Sequence, residues 1–571
     1  MIHYTLSFAQ YYQHLIKVTI RFQAQPQQKI WLPTWIPGSY LVREFARHVE
    51  SVKAKNVLSD QAIKLQKVSK NQWQLFNEQA AELEVSYQVY AYDLSVRGAY
   101  VDDERLYVNP AAVCMGVAGQ EDEQIQFRLE VPELLKHFTL ATGMGQLKQE
   151  AHTYHLAAKN YHELIDQPFE LAEHASIEFK AEDIVHRVAI SGRHHTDLQR
   201  LATDLEKICS AQIRLFGDAP FSDYLFMVMA TANSYGGLEH QNLTSLITPR
   251  DDLPKQGEPA KPSTGYQRFL GLCSHEYFHS WLVKFIRPHN YVKPNLHQEG
   301  YTTLLWVFEG ITSYYDDLML YRSGVIDQSA YLDLLKDQVN RYLSNPGRHL
   351  QSVAESSFDA WIKYYRPDEN SNNAGTSYYN KGALVALCLD LTLRQHGASL
   401  DRLLQQLYTR AKAGQQVDES TLPEICEQLG GQGLNDFFDD YVYGTKELPL
   451  AELLGSIGIQ LLMEQKPWPL GLKVTDSGQG LLVQQVLRHS AAAQAGISAH
   501  DTLIAIDGLK ATSNLLQQLS NPVELSEQPL TCHVFRRDEL KILKVKGEGF
   551  IISTVKLTVE DQNLLKRWFT H

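Results

Sequence analysis

The chain has 571 residues, of which 44% are hydrophobic and 10% aromatic, and its formal net charge at pH 7 is -13. This length exceeds what one hydrophobic core usually supports, so several domains are expected. The hydrophobic content excludes a mostly disordered chain, and the negative charge argues against a nucleic-acid partner, because phosphate backbones select clustered lysine and arginine.

The amino-terminal sequence MIHYTLSFAQYYQHLIKV lacks the basic region, apolar stretch and cleavage site of a secretory signal. No apolar run reaches the roughly 20 residues that a membrane-spanning helix needs. The six cysteines lie far apart without a CxxC pair, which favours reduced, mostly buried thiols over disulfide bonds. We therefore expect a cytoplasmic protein with no membrane partner.

Short strand-like segments follow one another from the amino terminus to about residue 170. Turn signals separate them, and their alternation of apolar and polar residues is that of β-strands, as in LIKVTIRF, QWQLF, LEVSYQVYAY and IQFRLEV. The sequence therefore predicts an antiparallel β domain over residues 1–170.

A second domain is predicted over residues 171–454. Apolar residues at helical spacing predict a helix over 195–216, and the compact apolar segment 224–231 predicts a strand. The segment 251–265 is rich in proline, glycine and charge and predicts a surface loop. Mainly helical periodicity follows from residue 266 to about 454, so this domain is expected to have a mostly α-helical half.

Strand-like segments return after Gly455, which predicts a small third domain over residues 455–550 and a C-terminal tail over 551–571. The fold class expected from these patterns is multidomain α+β.

The sequence HEYFH places His275, Glu276 and His279 on a predicted helix. Residues four apart project from one face of an α-helix, so both imidazoles can reach one zinc ion. Glu276 is turned by about 100° along the helix, where its carboxylate can accept a proton from the attacking water without binding the metal. With 22 histidines in the chain, such a match arises by chance with a probability of about 0.05, so the hypothesis needs a third ligand.

Glu309 is the predicted third ligand. It lies in LLWVFEGITSYYDDLML, an apolar segment that predicts a second helix, where an unpaired carboxylate is costly and a metal ion is a natural counter-charge. The alternative is an ion pair with an arginine of the core. Two histidines and one glutamate leave a fourth position open, which is typical of a catalytic zinc site. Asp316, two turns after Glu309, either orients a ligand imidazole or is a solvated surface residue.

These motifs resemble the glycyl aminopeptidase family of zinc metallopeptidases, which are gluzincins related to the aminopeptidase N clan. The resemblance rests on HEYFHSW, on WVFEGITSYYDD and on WIPGSYLVREFARHV near the amino terminus. It covers nearly the whole chain, because the order of β domain, catalytic domain and C-terminal PDZ domain also matches. It implies a thermolysin-like catalytic fold, a Zn²⁺ cofactor and aminopeptidase activity.

The resemblance also implies a binding site for the free amino group of the substrate. The segment Gly236-Gly237-Leu238-Glu239-His240 resembles the GxMEN segment of aminopeptidase N, with leucine and histidine in place of methionine and asparagine. The glutamate of that segment binds the substrate ammonium, so Glu239 is the implied anchor and Gly236 and Gly237 line the site. Without the resemblance, GGLEH would be interpreted as a turn with a surface glutamate.

Tyr379 is the oxyanion donor that the resemblance implies, because the segment from Ser377 to Gly382 resembles the YxKG element of the same clan. A phenol near the metal can donate a hydrogen bond to the developing oxyanion, and loss of one such donor costs about 10²–10³ in rate. Tyr378 takes this role if the alignment shifts by one residue.

The segment 489–508, HSAAAQAGISAHDTLIAIDG, is similar to the part of PDZ domains in which Ala-Gly precedes a strand that ends in Asp-Gly. Upstream, residues 469–473 resemble the loop that binds the terminal carboxylate of a peptide. The predicted PDZ domain therefore either takes a C-terminal peptide or is packed on its neighbour as a structural lid.

Three functions remain as hypotheses from the sequence. The first is a zinc aminopeptidase that removes small residues, glycine first and alanine next, from peptides with a free amino terminus. The second is a thermolysin-like endopeptidase with the same metal site, and the third is a PDZ adaptor with a vestigial metal site. The intact set of His275, Glu276, His279 and Glu309 favours an enzyme.

Overall fold

The structure is a computed structural model that describes residues 1–430, 434–519, 528–546 and 550–570. The chain divides into two compact units. One unit comprises Met1–Tyr301, Tyr315–Asp327 and Leu404–Asp418, and the other comprises Thr302–Tyr314, Gln328–Leu403 and Glu419–His571.

A β domain forms the amino-terminal part of the first unit. Burial alternates along its strands: in Leu15–Ala24, Ile16 and Val18 are buried whereas Lys17 is exposed. In chain order its elements are β1 (Ile2–Gln10), β2 (Leu15–Ala24), β3 (Lys29–Trp31), β4 (Val49–Asn56), β5 (Ala62–Ile63), β6 (Leu65–Lys67), β7 (Gln72–Leu75), β8 (Ala81–Tyr90), β9 (Ala99–Val101), β10 (Arg105–Val108), β11 (Gly116–Val117), β12 (Ile125–Glu130), β13 (Thr139–Thr142), β14 (Gly145–Glu150), β15 (Thr153–Ala158), α1 (Tyr161–Ile165) and β16 (Phe169–Ala172).

These strands form three sheets, with the orders β14-β15-β12-β1-β2-β8-β4-β5, β13-β16-β10-β9 and β11-β3-β7-β6. Within residues 1–172, all of which are described, neighbouring strands are antiparallel as predicted, except that β1 and β12 pair in parallel. The parallel pair follows from topology, since strands joined by a long connection can align in either direction.

A fourth sheet, in the same unit, supports the candidate site. Its elements are β17 (Ala175–Ala181), β18 (Ile184–Ser191), α2 (Leu198–Phe216), β19 (Asp223–Thr231), β20 (Gly236–Glu239), β21 (Leu243–Pro249) and α3 (Thr264–Phe278), and the strand order is β17-β18-β19-β21-β20. Helix α2 begins where the Asp197 side chain accepts a hydrogen bond from Arg200 N, and it ends at Gly217 with a φ of +88°. Helix α3 packs against β20 and β21, which brings HEYFH beside the GGLEH segment.

The segment that follows is mainly helical, as predicted. Its elements are a π-helical turn (Trp306–Gly310), α4 (Ile311–Arg322), α5 (Gln328–Leu343), α6 (Val353–Phe358), α7 (Ser371–Ala374), α8 (Asn380–Gln395), α9 (Leu400–Lys412), α10 (Thr421–Gln428), α11 (Asn435–Phe438), a second π-helical turn (Asp439–Tyr443) and α12 (Leu450–Ser456). In the described part of the chain, no helix combines the length and the hydropathy needed to cross a bilayer.

The C-terminal part of the second unit contains the predicted PDZ domain. Its elements are β22 (Ile459–Trp468), β23 (Leu472–Asp476), β24 (Leu481–Val486), α13 (Ala491–Gln494), β25 (Thr502–Ile506), β26 (Leu509–Lys510), α14 (Ser513–Gln518), β27 (Leu530–Arg536), β28 (Glu539–Val545), β29 (Phe550–Val559) and α15 (Gln562–Thr570). The sheet order is β23-β24-β25-β27-β28, with β26 beside β25. Leu481, Val483 and Leu503 are buried in its core.

Strands β22 and β29 form a separate antiparallel ribbon. The predicted tail, 551–571, thus contains most of β29 and also α15, whose Trp568 donates a hydrogen bond from Nε1 to Asp390 Oδ2 at 3.2 Å. The domain boundaries at residues 170, 454 and 550 stay predictions.

Candidate active site

His275 and His279 lie on one face of α3, with their Nε2 atoms 3.1 Å apart. The helix begins after Ser263, whose side chain accepts a hydrogen bond from Tyr266 N, and it ends at Phe278, so that His279 is the C-cap residue. His279 N still donates to His275 O at 3.3 Å. The i, i+4 geometry that the motif predicts is therefore present.

The other ring nitrogens of the two imidazoles face acceptors. His275 Nδ1 lies 3.0 Å from Asp316 Oδ2, and His279 Nδ1 lies 3.3 Å from the carbonyl oxygen of Leu282. Because a carboxylate and a carbonyl can only accept, each Nδ1 of the neutral rings carries the proton and each Nε2 presents its lone pair. Two lone pairs that face each other at 3.1 Å repel, so this pair of rings is built to receive a cation.

Two buried carboxylates lie beside His279. Glu239 is 3% exposed and Glu276 is 5% exposed. Each of the three residues offers one ligand atom, and these atoms all lie within 4.8 Å of one another. Two carboxylates at such a distance repel each other unless positive charge lies beside them. The cluster is therefore suited to positively charged ligands.

Two glycines make room for these carboxylates. A Cβ atom on Gly237 would overlap the carboxylate of Glu276, and a Cβ atom on Gly38 would overlap that of Glu239. Gly38 also has a φ of +97°, a conformation that favours glycine. In the sequence, WIPGSY contributed only to the resemblance. The structure shows that its glycine touches the predicted amine anchor.

Arg97 reaches β20 from the amino-terminal β domain. Its Nη2 donates a hydrogen bond to the carbonyl oxygen of Gly237 at 3.0 Å, and its Nη1 lies 3.7 Å from the position of a Cβ on Gly236. Sequence reasoning missed this residue, because a single arginine in DLSVRGAY belongs to no motif and its contact is more than a hundred residues away.

His240 occupies the asparagine position of the GxMEN-like segment and is fully buried. Its Nδ1 lies 3.2 Å from Asp166 Oδ1, and the same oxygen accepts a hydrogen bond from Lys284 Nζ at 2.6 Å. Burial raises the pKa of Asp166, but Lys284 and His240 outweigh this effect and the pKa lies below its ordinary value. This charged group ties the end of β20 to the segment after α3.

Glu309, in the second unit, is 2% exposed and lies in the π-helical turn Trp306–Gly310. This turn replaces the first part of the helix predicted there. The neighbouring Gly310 packs on α8, since a Cβ at this position would lie 2.7 Å from Gly382 Cα and 2.8 Å from Tyr378 O. Single π-helical turns are frequent at functional sites, where they redirect a side chain.

The phenols that precede α8 belong to the same unit as Glu309. Tyr379 is partly exposed and its hydroxyl lies 2.9 Å from that of Tyr365, whereas Tyr378 is fully buried. Burial, and next the negative charge of Glu309, raise the pKa of Tyr379, so its hydroxyl keeps its proton at neutral pH and is able to donate. A donor to substrate must be accessible, which favours Tyr379 over Tyr378. Sequence reasoning missed Tyr365.

The predicted carboxylate-binding loop of the PDZ domain is a tight turn at Pro469–Gly471, in which Leu470 has a φ of +54°. The carbonyl oxygen of Gly471 accepts a hydrogen bond from Leu487 N at 2.9 Å. The next strand, β23, pairs with β24 on one side and is an edge of the described sheet. An extended peptide can pair with an edge of this kind.

Comparisons with known proteins bear on these assignments. Family models match the chain for the Peptidase M61 N-terminal domain over residues 3–173, the M61 glycyl aminopeptidase over 268–385 and the PDZ domain over 459–524. A search of curated proteins gives no match. An M1 zinc metallopeptidase from Deinococcus radiodurans is 13% identical with a TM-score of 0.48, covering 79% of this chain and 94% of its own. Native yeast LTA4 hydrolase is 12% identical with a TM-score of 0.49, covering 80% of this chain and 70% of its own.

The match to a further solved structure extends over the whole length. It is an aminopeptidase N family protein from Idiomarina loihiensis, 37% identical with a TM-score of 0.93, and the match covers 100% of both chains. Together with the order of the three family models, this match confirms the resemblance found in the motifs. The chain is a member of the M61 glycyl aminopeptidase family and carries a C-terminal PDZ domain.

Proposed function

We propose that the protein is a zinc-dependent aminopeptidase that removes small residues, glycine first and alanine next, from the amino terminus of peptides. The observation that carries the proposal is the buried carboxylate of Glu239 beside Glu276 and His279. Its Oε1 accepts no hydrogen bond from the described residues. A substrate ammonium satisfies such a carboxylate by charge-assisted hydrogen bonds, whereas a blocked amino terminus does not.

The residues that would hold the zinc ion are His275, His279 and Glu309, the two histidines of HEYFH and the glutamate of WVFEG. Imidazole nitrogen and carboxylate oxygen are donors that zinc prefers, and three protein ligands leave one coordination position open. The contacts of the two Nδ1 atoms with Asp316 and Leu282 are the outer hydrogen bonds that fix ligand histidines in the required tautomer. When bound, zinc polarises the carbonyl group of the scissile bond.

The remaining steps are assigned to side chains of this chain. Glu239 binds the substrate ammonium. Glu276 accepts a proton from the attacking water and delivers it to the nitrogen of the leaving amine. Tyr379 donates a hydrogen bond to the oxygen that gains negative charge. This role leaves its own oxygen to accept the hydrogen bond from the Tyr365 hydroxyl, 2.9 Å away.

The PDZ domain would take a C-terminal peptide at residues 469–473 and along the edge of β23. The family description as a glycyl aminopeptidase supports the preference for small residues. The cytoplasmic location expected from the sequence stays a prediction.

Hydrolysis of glycine p-nitroanilide tests the proposal. We expect turnover to be lost on removal of zinc with a chelator and restored by added zinc, and to fall by about 10²–10⁴ in Glu276→Gln, the usual contribution of a general base. The variant should retain zinc and its melting temperature, because Glu276 is not a ligand. In Glu309→Gln, zinc content itself should fall.

Acetylated glycine p-nitroanilide is the matched control substrate, since it differs from the first only in its blocked amine. Equal turnover of the two substrates would show that Glu239 does not select a free amino terminus. Activity that survives in Glu276→Gln would refute the assigned base.

A further inference from the structure

Two opposite charges near strand β20 have no oppositely charged partner among the described residues. Within the described ranges, the buried carboxylate of Glu239 forms no ion pair, and its Oε1 accepts no hydrogen bond. The partly buried guanidinium of Arg97 forms no ion pair with the part of the chain that the structure describes, and its Nε is buried there without a hydrogen-bond acceptor. Charges removed from water are costly unless they are paired, so both groups are suited to a ligand that carries the complementary charges.

The two charges flank the residues assigned to catalysis. Glu239 is the last residue of β20, the carboxylate of Glu276 touches Gly237, and the Arg97 guanidinium lies at Gly236 and Gly237. Along the strand the order is therefore amine anchor, general base and guanidinium. A strand rises about 3.3 Å per residue, so about 7 Å of strand separates Glu239 from the Arg97 contact.

Strand β20 is also placed to bind an extended peptide. It pairs with β21 on one side, from Gly236 opposite Ile247 to Glu239 opposite Thr244. In the described sheet no strand pairs with its other side. A peptide lying along that side, with its ammonium on Glu239, directs its second residue toward Gly236 and Arg97.

A dipeptide has the size and charges that this arrangement requires. Two extended residues span about 7 Å, with an ammonium at one end and a carboxylate at the other. Guanidinium binds carboxylate through paired, charge-assisted hydrogen bonds. Because the hydrogen bond from Nη2 to the Gly237 carbonyl holds the group in place, the remaining N–H groups of Nη1 and Nη2 can receive the carboxylate. A longer peptide presents a neutral carbonyl at this position.

We infer that Arg97 is a substrate-binding residue for a carboxylate one residue beyond the scissile bond, and that the preferred substrates are dipeptides with a small amino-terminal residue. The inference rests on the proposed aminopeptidase function and adds a substrate length to it.

The test compares kcat/KM for glycyl-leucine and for its C-terminal amide, which differ only in the terminal charge. A hydrogen bond to a charged group contributes about 1.5–3 kcal/mol, so the wild type should favour the acid by about 10- to 100-fold. In Arg97→Gln the preference should fall to about one, through loss of the acid, while the amide stays within about threefold of its wild-type value. Arg97→Lys should restore part of the preference.

Arg128→Gln is the matched control. Arg128 is an exposed arginine of the same β domain, paired with Glu130 on the surface, so its removal should leave both substrates unchanged. If Arg97→Gln lowers kcat/KM equally for the acid and for the amide, Arg97 only supports the structure of β20 and the inference is overturned. A wild type that does not distinguish acid from amide would overturn it without any variant.

Glycine p-nitroanilide, which has no carboxylate, separates this inference from the proposed function. If the wild type hydrolyses the anilide but does not prefer glycyl-leucine over its amide, the proposed role of Arg97 is wrong and the proposed aminopeptidase function is retained. If it hydrolyses neither the anilide nor the dipeptide, both fail.

Discussion

The substitution Gly38→Ala tests whether the amino-terminal β domain shapes the amine-binding site. A Cβ at this position would overlap all three carboxylate atoms of Glu239. Glu239 would have to leave its rotamer, because the obstacle is fixed to the backbone. The expected result is a protein that folds and binds zinc but no longer holds the carboxylate where the substrate ammonium arrives.

The magnitude of this effect has two parts. A non-glycine residue with positive φ costs about 1–2 kcal/mol of stability, and Gly38 has a φ of +97°. Displacement of Glu239 removes a charge-assisted hydrogen bond to the ammonium, which contributes about 1.5–3 kcal/mol. Since about 1.4 kcal/mol corresponds to a factor of ten, kcat/KM on glycine p-nitroanilide should fall by about 10- to 100-fold.

Gly119→Ala is the control that separates the contact with Glu239 from the loss of stability caused by a positive φ. Gly119 lies in the same β domain with a φ of +79°, and a Cβ there would meet no atom of the described residues within 4 Å. Both variants should lose similar stability in urea unfolding, but only Gly38→Ala should lose activity. If the kcat/KM values of the two variants agree within about threefold, Gly38 does not position Glu239 and the reasoning is refuted.

Two further predictions concern Asp316 and Lys381. Asp316→Asn should weaken zinc binding by about 10- to 100-fold, because His275 Nδ1 loses a charged acceptor. Competition with a chelator measures the zinc affinity. An affinity equal to that of the wild type would contradict the prediction. Burial lowers the pKa of Lys381 to about 8 from its ordinary value of about 10.5. Between these pH values the unfolded state binds more protons, so the free energy of unfolding rises with pH. The free energy of unfolding should rise by at most about 3 kcal/mol over this pH range. Urea unfolding at pH 8 and at pH 10.5 should show the rise in the wild type relative to Lys381→Met. An identical pH dependence of the two proteins would rule out the predicted effect of Lys381.

The helix that carries HEYFH was predictable because its signal is local. His275 and His279 meet through the geometry of a single helix, and the apolar residues around them have one period. The β-strands of the amino-terminal domain were predictable for the same reason, since alternation in LIKVTIRF follows from burial of one face. The PDZ domain required a resemblance, because short alternating strands alone are compatible with many β folds.

The π-helical turn at Glu309 was not predictable from its own sequence. The local pattern of WVFEGITSYYDD favours a continuous helix, and the departure accompanies a contact between Gly310 and Gly382 in a distant segment. Gly38 and Arg97 were missed for the same reason. Their roles depend on Glu239 and Gly237, which are far away in the sequence, and a single glycine or arginine carries no periodic signal.

The residues around β20 fall into two groups, one proposed for the chemical step and one proposed for substrate selection. In the proposed mechanism, Glu276 and the two histidines of HEYFH act on every substrate. Gly38 and Arg97 come from the amino-terminal β domain and reach opposite ends of β20. Changes in α3 should therefore lower kcat/KM for all substrates by the same factor. Changes at Gly38 should affect binding of the substrate's ammonium group, and changes at Arg97 should affect binding of its carboxylate. The ratio of kcat/KM between two matched substrates should therefore change even where the chemical step is intact. If both effects are observed, the preferred substrate length is determined by the β domain, which contacts both ends of one edge strand. The catalytic helix does not determine it.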